Sequence, residues 1–240
     1  MHPALVVLLF TLPAVLAAAV GGAVAVRRPP SPSVTAAIQH FAAGIVFAAV
    51  ALELLPRERS EATGPVVIGF AAGIVLMLGL RVLEGRIDAS DRPGAFPTGL
   101  LLITGLDLAI DGVVLGIAFA AGEKSGILLA IALVLEVLFL ALSVTAAVVA
   151  AGSRRLVSLV TAPGLALVMC AAAVAGRVSL GALPPFAFAV LLGVGIVAML
   201  YLVTEELLVE AHEVEETHWS VAAFFLGFLL FLVIEMLVEN

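Results

Sequence analysis

"GLDLAIDG" runs from Gly105 to Gly112, and the residues on either side are almost pure hydrocarbon: Leu100-Leu101-Leu102-Ile103 before it, Val113-Val114-Leu115-Gly116-Ile117-Ala118-Phe119 after it. Two aspartates four residues apart need a reason to be there. On a helix, Asp107 and Asp111 project from one face, about 6 Å apart along the axis. Thr104, three residues before Asp107, extends the same stripe. An aspartate at the centre of a membrane-spanning helix costs about 2.5–3.5 kcal/mol on insertion scales, so intramembrane carboxylates point to function.

The rest of the chain makes the membrane the solvent. Of 240 residues, 63% are hydrophobic and 12% charged, with a mean hydropathy of +1.27. A soluble domain of this size needs far more polar surface. Runs of about 20 apolar residues span a bilayer as helices, and few other structures satisfy the backbone in lipid. Eight such runs are present, at 3–26, 34–55, 64–84, 97–121, 126–151, 156–176, 185–209 and 219–238. The expected fold class is therefore an all-α integral membrane protein with eight transmembrane helices. Residues 1–240 form one domain with no soluble module. The first run carries no Lys or Arg before Arg27 and is too long for a signal sequence, so it reads as a retained first helix.

Orientation follows from the basic residues. Arg27, Arg28, Arg81, Arg86, Arg92, Arg154 and Arg155 fall at one set of loops, whereas Arg57, Arg59, Lys124 and Arg177 fall at the other. The positive-inside rule puts the larger set in the cytoplasm and both termini outside, in the plasma membrane. The formal charge is −7 and the sequence has no basic patch, so no nucleic-acid partner is expected. Cys170, the one cysteine, lies in an apolar run and reads as a buried structural thiol. There is no Walker-type phosphate loop and no nucleophile–base pair, so neither an ATPase, a cofactor site nor an enzyme is expected.

A faint echo runs through the chain. The second run ends "VALELLPRE" (50–58) and the seventh "VTEELLVEA" (203–211); setting Glu53 on Glu206 matches Val50 with Val203, Leu54 with Leu207 and Leu55 with Leu208. Pro13 and Pro163 fall near the first third of the first and sixth runs. Helices 1–3 and 6–8 then form an inverted repeat around helices 4 and 5, a 3+2+3 arrangement typical of carriers with a midplane site.

A third carboxylate stands at the same depth. Glu136 is the one acidic residue of "LVLEVLFLA" (133–141), on the run antiparallel to that of Asp107 and Asp111. Three central carboxylates cost on the order of 8–10 kcal/mol, with no Lys, Arg or His in either run as expected to neutralise them. A cation or proton site is the expectation. All-oxygen donors suit Mg²⁺, Mn²⁺ or Ca²⁺ better than Zn²⁺, and iron(II) is compatible. Glu53 and Glu235 lie toward the outer ends of their runs. Glu205, Glu206, Glu210 and "HEVEETH" (212–218) lie toward the inner side, as does His40. Glu53 is expected to gather ions outside. Glu206, Glu210 and His212 are expected to aid release at an exit at least about 20 Å from Asp111.

The chain resembles the ZIP (Zrt/Irt-like) family of divalent-metal transporters. "HFAAGIVFAAVALELLP" (40–56) is similar to the family's Gly-containing second helix ending in Leu-Leu-Pro, with Glu53 where an acidic or histidine residue often stands. In the family's His-Asn-x-x-(Glu/Asp)-Gly, Asp107 takes the His place and Asp111-Gly112 the acid-Gly. In (His/Gln)-(Glu/Asp)-x-Pro-(Glu/His), Glu136 takes the second place. Leu108 replaces the Asn, Leu135 and Phe139 replace two helix-5 ligands, and Ile110 and Leu138 replace prolines. The resemblance implies a homodimer in the lipid bilayer that moves Zn²⁺, Mn²⁺, Fe²⁺ or another divalent cation by alternating access, with Asp107, Asp111 and Glu136 as the metal ligands. The alternative is a ZIP-like protein that binds metal or protons without transporting, as a sensor or structural partner.

Overall fold

The computed structural model describes residues 3–28, 30–88, 96–180, 183–212 and 218–239. All the regular structure among them is helical, and eight helices are long and apolar enough to cross a membrane. They are α1 (Pro3–Arg27), α2 (Pro32–Ala49, a π-helical turn Val50–Leu54, then Leu55–Glu58), α3 (Thr63–Asp88), α4 (Thr98–Ala121), α5 (Glu123–Ala150), α6 (Arg155–Leu180), α7 (Pro185–Tyr201, a π-helical turn Leu202–Leu207, then Leu208–His212) and α8 (His218–Glu239). The protein is a multi-pass membrane protein, as expected.

The boundaries have local causes. Pro32 and Pro185 open α2 and α7, where a missing N–H costs nothing and φ is preset for a helix. Gly152, at φ 73°, closes α5 in the left-handed conformation. Its N–H donates to Val149 O and that of Ser153 to Val148 O, so the last carbonyls of α5 are used. One boundary corrects the expectation. α5 starts at Glu123, not 126, because Gly122 alone separates it from α4. Lys124 therefore belongs to the fifth helix, which was expected to carry no basic residue.

α1, α4, α5 and α6 pack closely on one another, while α2 pairs with α8 and α3 with α7. α2 against α5, and α4 against α7, join the two sets. α3 and α8 are mostly unburied and present apolar side chains outward, as lipid-facing helices do. Small residues let the backbones touch. A Cβ at Gly112 would collide with the carbonyl oxygen of Met169 on α6, and one at Gly44 with that of Phe224 on α8. The Gly of "IDG" is thus a helix-crossing residue beside the second aspartate. Cys170 is buried as expected, its thiol 3.5 Å from the carbonyl oxygen of Thr11 on α1.

Candidate functional site

The midplane carboxylates converge. Asp107 and Glu136 line a cavity of about 190 Å³ with Gln39, Thr104, Ser143 and Glu206. A cleft of about 10 Å³ beside it is lined by Asp107, Asp111, Tyr201 and Glu206. Asp111 and Glu136 are 3% and 1% exposed. Asp111 Oδ2 and both oxygens of Glu136 make no hydrogen bond. The charges of Glu136 and Asp107 act on Asp111, and those of Glu206 and Asp107 on Glu136. No lining residue of the cavity or cleft is basic. Four carboxylates thus line two adjoining spaces with no basic residue in either lining, an arrangement that favours protons or a visiting cation. They do not form a ready-made cage: no group of three or more His, Cys, Asp or Glu among the described residues is disposed to hold a metal ion.

Glu206 corrects an expectation. It was assigned to a distant exit, yet it lines the cavity beside Asp107 and the cleft beside Asp111. Side chains lean toward the N-terminus of their helix, and the π turn Leu202–Leu207 changes the register in which they face. Counting residues along a straight helix captures neither effect.

The cavity has a direction. Gln39 and Leu100 come from the first parts of α2 and α4, Ser143 and Leu207 from the last parts of α5 and α7. These are the ends nearest Arg27, Arg28, Arg154 and Arg155. At the opposite end lies Glu53, 7% exposed and inside the π turn of α2. Ser125 Oγ donates to its Oε2 at 2.8 Å, and Lys124 Nζ stands 3.7 Å from Oε1. The same Nζ is 3.7 Å from Glu235 Oε1 on α8. Glu53 is thus tied between helices rather than open to bulk solvent.

His212 stands with its ring centre 5.2 Å from that of His40. The Glu210 side chain and residues 213–217 of the acidic segment lie outside the described residues. Arg81 Nη1 donates to Glu205 Oε2 at 2.7 Å in an exposed pair joining α3 to α7; such pairs contribute about 0–1 kcal/mol.

Sequence reasoning missed three polar groups. Gln39 and Ser143 line the cavity; each is an uncharged polar residue in a largely apolar run, which is the signal that could have found them. Glu58 is 2% exposed with neither oxygen hydrogen-bonded, and a Cβ on Gly193 of α7 would lie 2.9 Å from its Oε1. In "PRERSE" (56–61) it reads as one charge of a solvated loop.

The helices and the buried carboxylates define a polytopic membrane protein with an acidic intramembrane cavity. The sequence matches no protein-family model, and no curated protein matches it significantly.

Proposed function

We propose that this protein is a ZIP-like carrier for a divalent cation, working by alternating access without ATP. The observation that carries the proposal is the enclosure itself: Asp107, Asp111, Glu136 and Glu206 around one cavity system whose lining includes no basic residue. Asp107, Asp111 and Glu136 would be the ligands that travel with the cation, and Glu206 would meet it from the facing set of helices. Carboxylate charge offsets the partial dehydration of the ion at low dielectric.

The helix pairings support the inverted repeat of helices 1–3 and 6–8. Exchanging α1 with α6, α2 with α7, α3 with α8 and α4 with α5 turns the α2–α8 pair into α7–α3, and α1–α5 into α6–α4; both members of each exchange occur. The π turns fall on the matched segments, around Glu53 and Glu206. In an alternating-access cycle the set α1, α4, α5 and α6, bearing three carboxylates, would shift against α2, α3, α7 and α8. The cavity would be the path to the arginine-rich, cytoplasmic side, with Glu53, Ser125, Lys124 and Glu235 closing the other. The homodimer and the plasma-membrane location rest on the resemblance and the arginine bias.

One observation favours the alternative of binding without transport: the lack of a preassembled three-ligand group among the described residues. Flux separates the two. Proteoliposomes loaded with a divalent-sensitive dye should show uptake of Mn²⁺ or Zn²⁺ by the wild type and none by a folded Asp111→Ala protein. Near-normal uptake by that variant removes the site. No uptake by the wild type, with metal binding retained, leaves the non-transporting protein.

A further inference from the structure

His40 and His212 meet outside the carboxylate enclosure. His40 is buried in α2 and His212 is the last residue of α7. The Nδ1 of His40 lies 2.9 Å from the carbonyl oxygen of Ala36, and that of His212 contacts the carbonyl oxygen of Leu208, each four residues earlier. A carbonyl oxygen only accepts, so each Nδ1 carries the proton, and in the neutral ring the lone pair is then on Nε2. Holding one imidazole nitrogen on a backbone carbonyl is how proteins orient the other toward a metal.

The spacing fits. A metal–nitrogen bond of about 2.0–2.1 Å sets each ring centre about 3.2 Å from the metal, so two imidazoles at a tetrahedral angle have centres about 5.2 Å apart. The observed separation is 5.2 Å, with the ring planes 53° apart. Both rings line a cavity of about 340 Å³ with Leu208, Val221, Phe224 and Phe225, which leaves room for the waters a two-ligand site needs. Gln39 and Leu207, the chain neighbours of His40 and Leu208, line the carboxylate cavity, so the pair stands beside its mouth.

We propose that His40 and His212 form a second, nitrogen-donor site for a divalent cation, selective for borderline first-row ions such as Zn²⁺, Co²⁺ and Ni²⁺ over Mg²⁺ and Ca²⁺. Its place on the release path rests on the carrier function; its binding of metal does not. A cation leaving four carboxylates would meet imidazoles next, which narrows the cargo to ions that accept both donor types.

The test is Co²⁺ titration of the full-length protein in lipid nanodiscs, read by visible absorption, with Zn²⁺ and Mg²⁺ by calorimetry. The Co²⁺-binding event that remains in Asp111→Ala should disappear when His212→Ala or His40→Ala is added to that protein. Mg²⁺ should not compete for it. His212 is exposed, so its replacement keeps the test sound even where that of buried His40 disturbs folding. A Co²⁺ event that survives in the Asp111→Ala/His212→Ala double variant, or no event in Asp111→Ala, overturns the site. An event lost in Asp111→Ala but kept in His212→Ala overturns it too, while leaving the midplane ligands in place.

Discussion

Replacing Glu136 with leucine should make the protein more stable and unable to answer to metal at the midplane. Glu136 is 1% exposed on α5 and neither of its oxygens is hydrogen-bonded. Leucine removes two unbonded oxygens and one member of a self-repelling group while filling similar space. On insertion scales, exchanging an acid at a helix centre for leucine is worth about 3 kcal/mol, with aspartate as the guide for glutamate. At about 2–4 °C per kcal/mol for chains of this size, the melting temperature in chelator should rise on the order of 6–12 °C. Circular dichroism melts in detergent measure it. Saturating metal should reverse the order: at a thousand times the midplane Kd an ion bound there adds about 4.1 kcal/mol to the wild type and nothing at that site to the variant. A Glu136→Leu protein that melts no higher than the wild type in chelator would mean that Glu136 is well satisfied where it sits, and the argument from its unbonded oxygens fails.

Binding at the midplane should weaken as pH falls, because each carboxylate must be deprotonated to coordinate and protons compete with the metal. Calorimetry from pH 8 to 5 in buffers of different ionisation enthalpy should show falling affinity and released protons, and flat affinity would place the binding elsewhere. Gly112→Val should cost several kcal/mol or abolish folding, since its side chain meets the Met169 carbonyl with no flexible atom to yield, whereas Gly105→Ala, 3.4 Å from a leucine methyl, should be nearly neutral in the same melts.

Much of this was legible in the sequence because lipid imposes simple rules. Hydrophobic length gave eight spans, and Pro32, Pro185 and Gly152 mark ends of three of them. The convergence of Asp107 and Glu136 follows from equal depth on neighbouring antiparallel helices. What escaped depends on register and reach. A single glycine between α4 and α5 was read as a longer loop, which hid that Lys124 is helical and bridges toward Glu53 and Glu235. Glu206 seemed remote because residues were counted along a straight helix. Glu58 looked solvated because its sequence neighbours are charged, and only tertiary structure brings the last turn of α2 against Gly193 of α7.

The two π turns carry a mechanical consequence. Such a turn holds one residue more than its α counterpart, and that surplus can migrate along the helix without unwinding it. Each one-residue slip turns the side chains it passes by about 100°. Glu53 and Glu206 both sit inside these turns, at Val50–Leu54 and Leu202–Leu207. In the proposed carrier such a slip would swivel each carboxylate toward or away from a passing cation like the tooth of a ratchet, with the helix on either side staying where it is.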